Sequence, residues 1–282
     1  MTQVLIVVFD GLQPSQVTPE LMPNLAEFAS EGVIFSKHHP VFPTVTRVNA
    51  ATLVTGRTPG NHGLAANTLV ARDFDPDRVI QAMKPHLDDM ARANVPILYT
   101  PTLAEILSRH GNEYTAIGVG TSGNAYVHNP TADTAGGATI HAEVTLPSSL
   151  NDVLISRFGP WPDEARPNTP RFAHAYRIMT EHILPERQPA VALIWSSEPD
   201  KSQHAAGVGS ELANVALGEA DAKFGDLMRW LDDNGDAQGT DVIVLSDHGY
   251  STIIDRIDLD AGLADAGFPP DDVLIATNGG CA

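Results

Sequence analysis

The sequence predicts an α/β fold organised on a doubly wound, mostly parallel sheet. Two patterns predict it. Short β-rich apolar runs such as Val4 to Phe9 are continuous rather than alternating, as strands covered on both faces are. These runs are separated by helical segments that stop at glycine, the order expected of strand–crossover–strand units.

In chain order, Val4 to Phe9 ends at Asp10-Gly11, so a buried strand delivers Asp10 at its C-terminal tip. Pro23 to Gly32 has Leu25, Phe28 and Ala29 at helical spacing and leads to an expected strand, Val33 to Ser36. A second helix is expected over Thr46 to Thr55. Leu103 to His110, Gly111 and Tyr114 to Val119 repeat the helix, glycine, strand order. Ala190 to Trp195 is the next strand. Leu212, Val215, Ala216, Ala220, Phe224, Leu227, Met228 and Leu231 then mark one face of a long helix ending near Gly235. Val242 to Leu245 and Val273 to Ala276 complete the expected strands. Residues 68–100 and 120–170, with Gly136, Gly137, Pro160, Pro162, Pro167 and Pro170, read as cap insertions. With no repeat, low-complexity tract or clear linker, residues 1–282 are expected to form one domain carrying those caps.

Composition narrows the function classes. The 43% hydrophobic and 18% charged content excludes disorder, and no apolar run reaches the roughly 18 residues of a membrane helix. A formal charge of −18 argues against an electrostatic grip on nucleic acid or anionic membrane. Any phosphate group must therefore be held by local devices such as metal ions. The single cysteine, Cys281, excludes an intrachain disulfide and a cysteine-based zinc site. Residues 1–9 lack the features of a secretory peptide, so the chain as written is expected in the cytoplasm, or outside it if the N-terminus was trimmed. Composition leaves the oligomeric state undetermined.

Three strands end in turns bearing carboxylates: Phe9-Asp10-Gly11, Glu198-Pro199-Asp200 with His204, and Ser246-Asp247-His248-Gly249. Ligands of open α/β sheets collect at that edge. One aspartate there is usually a turn former or cap, but two aspartate–histidine combinations together suit zinc or manganese, and two such ions can stabilise both oxygens of phosphoryl transfer. Phe42 to Asn49 supplies Thr46 at a helix start. Its hydroxyl is by default a cap, although the same place offers free N–H groups and a positive dipole to an anion.

In these residues the sequence resembles the alkaline phosphatase superfamily, and most closely its nucleotide pyrophosphatase/phosphodiesterase branch. The matching stretches are Val8 to Leu12, Phe42 to Thr46, Leu53 to Gly56 with Pro59, His62-Gly63 and Asn67, Glu198 to Asp200 with His204, and Ser246 to Gly249, in family order. The resemblance implies an alkaline phosphatase-like fold and hydrolysis of a phosphodiester or pyrophosphate through a phosphothreonine on Thr46. It implies two divalent ions, zinc in the first instance, one held by Asp10, Thr46, Asp247 and His248, the other by Asp200 and His204. Asn67 would hydrogen-bond a phosphate oxygen of a small phosphate-ester substrate.

Two departures from the family pattern matter. No histidine follows His248 to complete the second metal site, and the sequence stops after a predicted strand, so the last part of the fold is expected to be missing. Arg47-Val48 stands where nucleotide-hydrolysing relatives tend to place an aromatic and a proline, so Arg47 is a candidate contact for a second anionic group of the substrate. Monoester or phosphonate hydrolysis remain alternatives, as does a metal-binding pseudoenzyme if the chain truly ends at Ala282. The segment typical of formylglycine sulfatases is absent around Thr46. His38, His39, Tyr126 and Trp161 read as structural, His62 as support for its loop, Thr121 to Asn124 as a polar turn, and Glu198 as a partner behind the ligands rather than one of them.

Overall fold

The computed structural model describes residues 3–234, 239–269, 271–278 and 280–282. Its strands are β1 (Gln3–Phe9), β2 (Thr68–Leu69), β3 (Ile80–Gln81), β4 (Tyr114–Gly118), β5 (Ala138–Ile140), β6 (Thr145–Leu146), β7 (Val191–Ser196) and β8 (Thr240–Leu245). Six of them form a sheet in the order β6-β5-β4-β7-β1-β8, parallel except for β6, which runs antiparallel to β5. β2 and β3 pair separately.

Covering both faces explains the unbroken apolar runs. Leu5, Val7 and Phe9 point into one layer and Ile6 and Val8 into the other, as the two-residue period of a strand requires. The first layer is packed by α1 (Pro23–Glu31), with α8 (Ser149–Phe158), α9 (Thr169–Ile178) and α11 (Glu211–Asp233). There Phe224 lies edge-on to Phe9 and Phe28, at 6.2 and 5.3 Å between centroids. The second layer is packed by α2 (Thr46–Thr55), α4 (Lys84–Arg92), α5 (Leu103–Arg109) and α6 (Ser122–His128). Short helices α3 (Pro59–His62), α7 (Ala132–Ala135), α10 (Asp200–Ala206) and α12 (Leu259–Asp265) complete the described α-helices, beside a 3-10 turn at Pro14–Gln16 and a π-helix at Met179–Arg187 that follows α9 and adds Met179, Ile183 and Leu184 to the first layer. No described helix is long and apolar enough to cross a membrane.

Three expectations need correction. Val33 to Ser36 is not a strand: Val33, Ile34 and Phe35 are 80%, 71% and 78% exposed. Apolar content does not make a strand without a partner edge, and this run makes only a turn, with the His38 N–H donating to the Phe35 carbonyl. Val273 to Ala276 is also irregular and half-exposed; beyond it the Asn278 side chain both donates to and accepts from the Thr68 backbone, substituting for strand pairing. Finally, the segment 120–170 is partly framework, since it carries β5 and β6 at one edge of the main sheet. The expected helix stop at Gly235 lies outside the described residues, but α11 extends to Asp233.

Candidate metal centre

The C-terminal tips of β1, β7 and β8 meet at one place because these strands are neighbours in the sheet. Asp10 follows β1 directly, Asp247 and His248 follow β8, and Asp200 opens α10 after β7. Gly11 makes the junction possible. Its φ is +71°, and a Cβ there would lie 2.9 Å from the Asp200 Cβ, so only glycine lets the two loops approach. The Asp200 N–H donates to the Asp10 carbonyl at 2.9 Å, and the Gly11 N–H donates to Asp247 Oδ1 at 3.2 Å.

One oxygen of each buried carboxylate is thus left over. Asp10 Oδ2 accepts from the Trp195 indole N–H at 3.0 Å, while Asp10 Oδ1 and Asp247 Oδ2 have no hydrogen-bond partner. His248 Nε2 lies 3.5 Å from the first of these free oxygens and 3.4 Å from the second. Ligand atoms of Asp10, Asp247 and His248 all fall within 4.8 Å of one another. Because His248 Nδ1 lies 2.8 Å from the Gly249 carbonyl and donates to it, Nε2 carries the lone pair in the neutral ring.

Burial, and then the neighbouring charges of Asp247 and Asp200, push the Asp10 carboxyl well above the usual carboxylate range. Burial likewise raises Asp247 and Asp200. Buried oxygens without donors, facing an imidazole lone pair, are costly unless a positive charge sits among them. This donor set fits a divalent cation of the zinc or manganese type.

Thr46 is not the cap that local pattern favours. Val45 occupies the N-cap of α2 and Thr46 is its first helical residue, so the hydroxyl is free to lie 3.2 Å from His248 Nε2. The adjacent Arg47 N–H donates to Asn67 Oδ1 at 3.0 Å, which places Asn67 beside Thr46 and leaves its Nδ2 without a partner among the described residues. The Arg47 guanidinium runs toward Met83 Sδ, 2.9 Å from Nη2, and packs against Gly123, while its Nε has no partner. Burial lowers its pKa, and the Asp10 charge partly restores it.

Asp200 and His204 lie one helical turn apart on α10, with His204 Nε2 3.4 Å from Asp200 Oδ1. Here the imidazole is open, 68% exposed and edge-on to Tyr250 at 5.0 Å. Glu198 turns away from the carboxylate cluster: its oxygens accept the N–H groups of Asn168 and Ser202, as a supporting residue should. His62 is fully buried, with Nδ1 accepting from the Leu64 N–H and Nε2 therefore donating to Thr52. His38 and His39 are exposed. Thr121 caps α6, and Trp161 packs on His174. Trp195 as a partner of Asp10 has no sequence motif; the nearest signal is the pair Gly118 and Gly120, which make room for its indole.

A mostly parallel α/β sheet with a carboxylate–imidazole cluster and a helix-borne hydroxyl at its C-terminal edge defines the alkaline phosphatase-like class. A profile of the Type I phosphodiesterase / nucleotide pyrophosphatase family matches residues 4–280, and the chain belongs to that family. It is 25% identical over 257 residues to the bis(5'-adenosyl)-triphosphatase ENPP4 of Pongo abelii and 28% identical over 252 residues to that of Xenopus laevis, covering 88% of this chain in each case. The matches cover 48% and 47% of those proteins, so the chain spans about half the length of these curated relatives. Among solved structures it is similar in fold to murine ectonucleotide pyrophosphatase/phosphodiesterase 5 in complex with AMP (TM-score 0.65, 20% identity, 88% of this chain and 57% of that one). It is also similar to phosphonoacetate hydrolase of Sinorhizobium meliloti 1021 (TM-score 0.69, 18% identity, 95% and 63%).

Proposed function

We propose that this chain carries the catalytic centre of a metal-dependent hydrolase of phosphate esters, acting on a phosphodiester or pyrophosphate through a phosphothreonine. The observation that carries the reading is the Thr46 hydroxyl, uncapped at the start of α2 and held against the Asp10, Asp247 and His248 cluster. Asp10, Thr46, Asp247 and His248 would hold one divalent ion, zinc by its mixed oxygen and nitrogen donors, and Asp200 with His204 would contribute to a second. Such ions, when bound, lower the pKa of a coordinated hydroxyl and offset charge on the entering and leaving oxygens.

The residues then divide the work. Thr46 Oγ1 bonds to phosphorus as the bond to the leaving oxygen breaks, and water subsequently displaces Thr46 to release the remaining phosphate monoester. The N-terminus of α2 faces the phosphoryl oxygens with its positive end, and Asn67 Nδ2 donates to one of them. Support for the substrate class comes from the family and from the relatives, which are named as a bis(5'-adenosyl)-triphosphatase and as a protein holding AMP.

Arg47 favours a second reading, a substrate with an additional anionic group such as a carboxylated phosphonate. Its buried Nε lacks a partner, and the fold neighbour is named for phosphonoacetate. Bis-p-nitrophenyl phosphate, p-nitrophenyl phosphate and phosphonoacetate, assayed with and without zinc, separate these readings. Diester turnover that Thr46→Ala lowers on the order of 10³-fold or more, with a p-nitrophenyl phosphoryl group trapped on Thr46 in acid-quenched wild-type chain, is the expected result. Near-unchanged kcat in Thr46→Ala would remove the phosphothreonine.

A further inference from the structure

We infer that Trp195 is a positioning residue that fixes which oxygen Asp10 presents to the metal. This rests on the reading that the Asp10, Asp247 and His248 cluster holds a divalent ion. A carboxylate at a strand tip can turn about its terminal bond and expose either oxygen, or both, to a cation. Here the indole Nε1–H donates to Oδ2 at 3.0 Å and leaves Oδ1 as the oxygen facing His248 Nε2.

The indole is itself held on three sides. Trp195 is fully buried in β7, in register with Val8 of β1 and Gly118 of β4. A Cβ on Gly118 would lie 3.1 Å from the Trp195 Cβ, and one on Gly120 would lie 3.8 Å from Nε1. Glycines two apart at the end of β4 therefore open the space in which the ring lies. On the α6 side the His128 ring meets the indole edge-on at 5.3 Å, and Tyr114 anchors His128 through a 3.0 Å bond to Nδ1. A donor so constrained can orient its acceptor, whereas a mobile one would follow it.

A purely packing role also predicts a buried indole with a satisfied N–H, so the test must separate donation from shape. Zinc affinity is measured by competition with a chromophoric chelator for the unaltered chain, for Trp195→Phe, and for a chain carrying β-(3-benzothienyl)alanine at position 195. That residue keeps the indole outline, replaces the N–H with sulfur and covers the case in which Trp195→Phe does not fold. His128→Gln perturbs the same packing while leaving the N–H in place. The expected result is a zinc Kd about 10-fold or more weaker for both residue-195 variants, with His128→Gln, which keeps the donor but loosens one side of its support, weakened less than either. A benzothienyl chain that binds zinc as tightly as the unaltered one overturns the inference and leaves the metal reading intact. An unaltered chain that takes up no zinc overturns both.

Discussion

Two aspartate–histidine pairs lie at the same sheet edge, each with its imidazole Nε2 3.4 Å from a carboxylate oxygen, yet they are different objects. Asp247 and His248 sit with Asp10 in a buried pocket where two oxygens lack donors and the Thr46 hydroxyl is within reach. Asp200 and His204 share a short helix on which i,i+4 neighbours meet whatever their purpose, and His204 is mostly in water. Contact distance therefore does not separate the two pairs. The distinction lies in how many acceptors the fold forces together and how far it removes them from solvent.

The largest effect should come from disturbing the buried cluster. Asp247→Asn leaves an amide where an anionic ligand is needed, and zinc affinity should fall on the order of 100-fold or more, read by elemental analysis after dialysis. Unchanged metal content would reduce this cluster to a strained polar core. Removing the ion from the unaltered chain is the gentler form of the same test. An ion present at about 100 times its Kd adds about 2.7 kcal/mol to stability, so chelation should lower Tm by about 5–10 °C, measured by thermal unfolding with and without chelator.

How much of this was legible in the sequence follows from the same contrast. Asp10, Asp200 and the Asp247-His248 pair were legible because each ends or follows a recognisable strand and matches a family motif, and Gly11 marked the tight turn after β1. The helix Thr46–Thr55 has its expected boundaries, but Thr46 is not its cap, because the chain enters the helix through Val45. Val33 to Phe35 and Val273 to Ala276 misled because strand composition says nothing about whether a neighbouring edge is free. Within the expected cap segment 120–170, β5 and β6 are too short to show a period. Trp195 was legible as a strand residue but not as a donor, since its acceptor comes from another strand 185 positions away.

The open pair gives a smaller effect. His204→Ala removes one exposed donor, so it should abolish weak uptake of a second zinc ion by the 282-residue chain while leaving the first ion's affinity and the apo Tm close to wild type. Calorimetric titration resolves the two events. Two equally tight ions in the unaltered chain would mean that exposure had misjudged this pair, and that a further ligand completes it.

The smallest effect isolates burial from charge, through a third imidazole. His128 is as buried as the Asp10 and Asp247 carboxylates but faces Tyr114 and Trp195 instead of acidic groups, and burial alone lowers its pKa to about 3. The unfolded chain then binds a proton near pH 6.5 that the folded chain refuses until about pH 3, so this group makes stability fall as pH drops through that window. The slope contributed by one such histidine is at most about 1.4 kcal/mol per pH unit. His128→Gln, which retains an acceptor for the Tyr114 hydroxyl, should flatten denaturant-derived stability between about pH 6 and pH 5 relative to wild type. His62 and His141, also lowered by burial, keep part of the slope in both proteins, so the comparison is between slopes and not with zero. Parallel pH profiles for the two proteins would show that His128 takes up its proton without unfolding, and that burial at this depth does not by itself hold an imidazole neutral.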